Sequence, residues 1–228
     1  MEHTVWMARY AEAVRAAFGD RIVCIGLQGS RARGEATPES DIDAVLILDR
    51  VDAADLERHR EAVSGLPDRD KLCGFVSGRE ELRCWEKGEL FSFFHDTVPI
   101  CGSLDYLLPE LCPEDAESAV LAGACSIYHA CVHNLLHARS PQLLAALQKS
   151  LFFTLRASHF RRTGLFVSRR ADLLPLLPPQ ERRLLELNPS DHFAQVSSEL
   201  IAWASSTIRS CGGCSCQSRK TEEANSHV

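Results

Sequence analysis

Apolar residues at Val5, Trp6, Ala11, Val14, Ala17 and Phe18 recur at helical spacing and Gly19-Asp20 ends the run, so the chain opens on a helix over 4–18. RIVCIGLQG is a short apolar run bounded by glycine. Within SDIDAVLIL the stretch from Val45 to Leu48 reads as a buried strand, so two strands flank a polar loop. Residues 53–64 follow as a charged helix, KLCGFVSG as a third strand and TVPICGS as a fourth. Between these last two strands, REELRCWEKGELFSFFHD reads as one helix with Leu82, Trp85, Leu90 and Phe93 as its apolar positions. Alternating strands and helices predict one α/β-type unit over residues 1–108.

The pattern changes at LLPELCPEDAES, where Pro109 and Pro113 punctuate the chain and acidic residues open a helix. Helical stretches are predicted at 114–138, 141–162, 168–176, 179–187 and 190–209, separated by Ser140-Pro141, Gly164 and Pro178-Pro179. A helical bundle is therefore expected over 109–210. After Arg209 apolar periodicity gives way to Gly, Ser, Cys, Lys and Glu, and 211–228 is expected to be a disordered tail.

The formal net charge of -6 over 228 residues offers no general attraction for nucleic acid or anionic lipid, so long polynucleotides are disfavoured as substrates. No run approaches the ~18 apolar residues of a membrane span, and the first residues lack the pattern of an export signal, which sets the expectation of a cytoplasmic protein without a membrane partner. In that setting the ten cysteines, most of them scattered through apolar segments, are expected to be reduced thiols. Cys211, Cys214 and Cys216 form C-x-x-C-x-C, one thiol short of a four-ligand zinc site.

Candidate chemistry concentrates in GLQGSRARGEATPESDIDAVLIL. A glycine at a strand end lets the backbone approach a ligand, and successive N–H groups there suit phosphate oxygens, which singles out Gly29 and Ser30. Arg31 and Arg33 add cations nearby. Side chains two apart on a strand point the same way, so Asp41 and Asp43 share a face while Ile42 turns inward. Like charges this close repel by about 4 kcal/mol at 4 Å for an effective dielectric of 20. Mg²⁺, which prefers oxygen ligands and characteristically bridges one or two carboxylates to substrate phosphates, fits that need.

A Gly-Ser pair, ten intervening residues and D-I-D at the start of an apolar strand resemble the nucleotidyltransferase superfamily that includes polymerase beta, and most closely its small bacterial members with a helical C-terminal domain, the aminoglycoside and lincosamide adenylyltransferases. The resemblance implies an α+β fold class: a polymerase-beta-like domain with a mixed sheet and flanking helices, followed by a helical substrate-binding bundle. It further implies that Asp41 and Asp43 bind metal, that Gly29, Ser30 and Arg33 hold the nucleotide phosphates, and that Ser40 completes the common S-D-x-D form. Lys149, on a helix of the second half, is the cation it suggests for the phosphates; Arg156 lies seven residues on, on the same face. The co-substrate would be ATP or another nucleoside triphosphate, with Mg²⁺ as cofactor and a small-molecule acceptor. The third acid that the superfamily usually supplies from the next core strand is missing: Cys73 or Gly74 falls at its place. Asp70, Asp96 and Glu117 are candidates for a general base, as is a glutamate from a second copy of the chain.

Three readings follow. One is transfer of AMP to a hydroxyl of a small molecule such as an aminoglycoside-like compound; the second is the same chemistry on a protein side chain, as in antitoxin-like relatives; the third is a nucleotide-binding protein without turnover. His129, His133 and His137 recur every fourth residue, a spacing open to metal ligation, but no carboxylate or thiol partner is evident and a polar helix face explains them. Arg156 and His159 stand too close together for the arginine and histidine spacing of helical ribonuclease partners.

Overall fold

The computed structural model describes residues 2–224, with side chains over 4–212, and divides the chain into two compact units, 1–112 and 113–228. In the first unit α1 (Glu2–Phe18) leads into β1 (Ile22–Leu27), α2 (Gly29–Arg33), β2 (Ala44–Leu48), α3 (Ala53–Ala62), β3 (Phe75–Gly78), α4 (Arg79–Arg83), α5 (Lys87–Asp96) and β4 (Val98–Gly102). The four strands form one sheet in the order β3-β2-β1-β4, with β1 antiparallel to both neighbours and β2 parallel to β3. The sheet is mixed.

Both faces of β2 are covered, which is why its five residues form an unbroken apolar run rather than an alternating one. Ala44, Leu46 and Leu48 join Trp6, Met7, Tyr10, Val14 and Phe18 of α1 in one core, whereas Val45 and Ile47 turn to the other face and pack with Leu82, Leu90, Phe93, Leu104 and Leu107. Ile42, paired with Leu72 ahead of the strands proper, belongs to the α1 side. Carried back along the chain, this alternation sends Asp41 and Asp43 to the side of Val45 and Ile47.

The expected single helix over 79–96 is two. Glu86 caps the second, its carboxylate accepting from Glu89 N at 2.9 Å, while Trp85 leaves the helical path to pack edge-on against Phe75 and Phe93.

The second unit contains α6 (Asp115–His133), continued by a π-helical turn over Asn134–Ala138, then α7 (Pro141–Thr163), α8 (Arg170–Leu173), α9 (Pro179–Glu186) and α10 (Phe193–Ala224). Its core joins Ile127 and Cys131 of α6, Leu144, Leu151 and Leu155 of α7, Leu184 and Leu185 of α9, and Val196 and Leu200 of α10. By length and composition, residues 115–138 are long and apolar enough to cross a membrane; one face of the segment, with Val120, Ala124, Ile127 and Cys131, is buried in this unit. Helix α7 begins at a Ser140 cap followed by Pro141 and stops at Gly164, whose φ of 72° no helix continues. Helical backbone runs to Ala224, well past the expected end near 209; Cys211 is buried and takes a contact from Arg161 Nη1 at 3.2 Å, which anchors the extension. Of the expected disordered tail, 225–228 lie outside the described residues, as do the side chains of Cys214 and Cys216.

Candidate active site

The glycine-serine segment and the aspartate pair meet at one end of the sheet because β1 runs antiparallel to β2, so the end of one strand lies beside the start of the other. The ladder extends past Leu27↔Ala44: Gln28 N donates to Asp43 O at 2.8 Å. Gly29 then adopts φ 70°, a left-handed conformation that side chains resist, and its α-carbon lies directly against Asp43. A Cβ there would overlap Asp43 Oδ2 and stand 2.8 Å from Cγ. Two requirements, backbone conformation and space for a carboxylate, thus converge on glycine at one position. Helix α2 opens its ladder with Ala32 N to Gln28 O at 3.4 Å, which leaves the amides of Gly29, Ser30 and Arg31 ahead of it.

Asp41 is exposed, Ile42 buried and Asp43 half-buried, the alternation that a strand-like path requires. The segment is held from both sides. Ile42 N donates to Lys71 O at 2.8 Å and Cys73 N to Ile42 O at 3.0 Å, while Arg31 reaches over to donate to Asp41 O at 2.9 Å and Ser40 O at 2.7 Å. Arg31, expected beside the phosphates, therefore grips the backbone that carries the aspartates. Ser40 uses its hydroxyl in a local turn, accepting from Thr37 N at 2.9 Å. Arg33 is largely buried and pairs with Glu35 at 2.9 Å, with Asp96 at the end of α5 3.9 Å away.

The register of β2 and β3 locates the missing acid. Ile42 pairs with Leu72 and Val45 with Phe75, so Cys73 stands beside Asp43, and its thiol is free and exposed. Gly74 turns toward Ala44 O and Leu72. Among the acids considered as replacements, Glu117 pairs with Arg161 at 3.4 Å and Asp96 lies 3.9 Å from Arg33, whereas Asp70 is exposed in a 3-10 turn ahead of β3. Among the described residues no three His, Cys, Asp or Glu side chains are grouped to hold a metal. Two carboxylates beside a glycine turn suit a hard cation that completes its shell with water and phosphate oxygens, the habit of Mg²⁺. They do not suit a closed zinc site, which takes its ligands from the protein.

Lys149 is exposed on α7, whereas Arg156, seven residues on, is 2% exposed and surrounded by the rings of Phe152, Phe153 and Phe166 at 5.6, 5.5 and 4.6 Å. The shared helix face does not give the two cations a shared environment. His159 is buried as well, so Arg156 and His159 do not form an accessible ribonuclease-like pair. His129, His133 and His137 are exposed, the last two with rings 4.8 Å apart.

A mixed sheet with a glycine-serine turn pressed onto a carboxylate pair is the arrangement that the Gly-Ser and D-I-D motifs led one to expect. Residues 7–89 match the family model described as nucleotidyltransferase domain. Among solved structures it is similar to spectinomycin adenyltransferase AAD(9) from Enterococcus faecialis, crystallised with ATP and spectinomycin: 11% identity, 90% of this chain and 99% of that one covered, TM-score 0.54. That likeness is one of fold. No curated protein matches the sequence.

Sequence reasoning missed two residues that hold the glycine turn, Gln28 and Thr97. Gln28 Nε2 donates to Thr97 Oγ1 at 2.7 Å across 69 positions of sequence, and nothing in the local pattern announces the pairing.

Proposed function

We propose that the protein transfers AMP from ATP to a hydroxyl of a small-molecule acceptor, with Mg²⁺ as cofactor. The observation that carries this reading is the direct apposition of Gly29 and the Asp43 carboxylate, with Asp41 two residues earlier. Backbone at Gly29 and Ser30 cradles the anionic tail of the nucleotide, while Asp41 and Asp43 hold the cation against it. When bound, Mg²⁺ neutralises charge on the transferring and departing phosphates. The chain's own contribution is positioning: Arg31 fixes the backbone of Ser40 and Asp41, and Gly29 leaves room for Asp43. Arg33, close to Asp96, is the further cation of this unit assigned to the phosphates, and Lys149, exposed on α7, is carried over from the resemblance alone. A small acceptor, rather than a nucleic acid, suits the net charge of -6, and the likeness to a spectinomycin adenyltransferase favours a hydroxylated, amine-bearing compound.

The test is incubation with Mg²⁺ and labelled ATP across a panel of aminoglycosides, aminocyclitols and lincosamides, reading pyrophosphate release. Asp43→Asn, which removes a metal ligand at constant volume, is expected to abolish release while the circular dichroism spectrum is retained; undiminished turnover would sink the assignment. Lys149→Ala is expected to raise the ATP dissociation constant, and an unchanged constant removes that lysine from the site.

A second reading rests on Cys73, which stands beside Asp43 where the superfamily usually carries an acid. On this reading the domain binds Mg·ATP and releases no pyrophosphate with any acceptor, including proteins of a cell lysate.

A further inference from the structure

We infer that Gln28 is a positioning residue for the nucleotide-binding turn, and that it works by tying that turn to the end of α5 through Thr97. The inference rests on the nucleotide site proposed above and deepens it. Gln28 directly precedes Gly29-Ser30 and is bonded on two sides. Its backbone N donates to Asp43 O at 2.8 Å, joining the turn to the strand of the aspartates. Its side-chain amide donates to Thr97 Oγ1 at 2.7 Å and reaches Phe93 O at 3.4 Å. Thr97 is itself fixed: its hydroxyl donates to Phe93 O at 2.7 Å, it is 7% exposed, and its methyl group lies so close to Gly26 that a Cβ there would come within 2.6 Å of it.

These bonds form a continuous path from Phe93 through Thr97 and Gln28 to Asp43. Gly29, next in the chain, has the backbone freedom of its residue type and no side chain by which to be held. The segment 28–34 also contains Gly34, at φ 70° with open space around it, so neither glycine anchors the loop. Order must come from neighbours. Arg31 supplies it on the side of Ser40 and Asp41, and on the side of α5 Gln28 does so beside the longer Arg33–Asp96 contact at 3.9 Å. A nucleotide that meets a turn already held in place does not have to order it on binding, so loss of the tether appears as weaker binding more than as slower chemistry.

The variants are Gln28→Met and Thr97→Val, which remove the donor and the acceptor at nearly constant size, with Thr97→Ser retaining the hydroxyl. The first readout is amide hydrogen exchange of the full chain without nucleotide. Exchange in 28–34 is expected to rise about five-fold in Gln28→Met and Thr97→Val, the weight of one ordinary hydrogen bond, with the rest of the first unit unchanged and Thr97→Ser like the parent. The second is titration with Mg·ATP, where the dissociation constant is expected to rise by a similar factor in the same two variants, and KM for ATP to change more than kcat. Unchanged exchange at 28–34 in Gln28→Met overturns the inference, and so does a uniform rise across the unit, the mark of a general loss of stability. Failure of the parent protein to bind Mg·ATP overturns the nucleotide reading instead, and the exchange result still decides whether Gln28 holds the turn.

Discussion

At Gly29 a single hydrogen atom stands where any other residue would push a carbon into Asp43 Oδ2. Gly34 shares the same φ of 70° but has nothing within 4 Å of the place a Cβ would take, so the two glycines separate conformational strain from steric overlap. Gly34→Ala is expected to lower stability by about 1 kcal/mol and to leave ATP turnover near that of the parent. Gly29→Ala carries the same strain and also displaces the Asp43 carboxylate, so turnover is expected to fall at least about 100-fold for a 1 Å misplacement. Thermal melts and pyrophosphate release measured side by side check the pair; equal losses of turnover would show that backbone conformation alone matters. The meeting of the Gly29 turn with the aspartate pair was legible because residue type and spacing leave few alternatives. The protein partners of Arg31 and Arg33 were not, because a guanidinium takes whichever acceptor the fold brings close: carbonyls of Ser40 and Asp41 for one, Glu35 and Asp96 for the other.

Pairing between elements settles which residue just ahead of β3 stands beside the aspartates. From sequence, Cys73 and Gly74 were equally placed, since neither the start of the strand nor its register is written in local pattern. The parallel pairs Ile42↔Leu72 and Val45↔Phe75 assign the position to Cys73. Cys73→Asp therefore sets a third carboxylate beside Asp43. If an acid at this place limits the reaction, turnover is expected to rise on the order of ten- to a hundred-fold, read as the initial rate of pyrophosphate release at saturating Mg²⁺. No change would locate the base elsewhere. Helix boundaries show the same division. The Ser140-Pro141 start and Gly164 stop of α7 are chemical signals readable in the sequence, whereas the break between α4 and α5 depends on Trp85 finding Phe75 and Phe93.

Across the molecule each unit has its own core, and each buries titratable groups whose ionisation couples to stability. Asp55, on α3, is held near a pKa of about 2 by hydrogen bonds from Arg21 first of all, against 3.8 for an ordinary aspartate. Its contribution is full above about 4 and is lost as pH falls from there toward 2. His59, buried and bonded to Tyr10 at 3.0 Å, and His159 in the second unit both sit below the ordinary histidine range, chiefly because burial disfavours the imidazolium. Their contributions are full above about 6.5 and are lost as pH falls through that value toward the lower folded-state pKa. The thermal midpoint is thus expected to be level between pH 7 and 8, to decline below 6.5 and to fall again below 4. Arg21→Leu should be less stable at neutral pH and show a shallower decline below 4; an identical acid limb would separate Asp55 from acid sensitivity.

The sequence alone determined the alternation of strands and helices in the first half, the change to helices after Pro113, and the identity of the glycine-serine and aspartate pair. Each of these follows from properties that residues carry with them: apolar periodicity, the conformational limits of proline and glycine, and the charge of carboxylates. Tertiary structure alone decided the order β3-β2-β1-β4, the partner of each arginine, the placing of Cys73 beside Asp43 and the link from Gln28 to Thr97. These are contacts between residues up to 78 positions apart, as in the pair Cys24↔Gly102, and their energies exist only once strand register and packing have brought both partners to the same place.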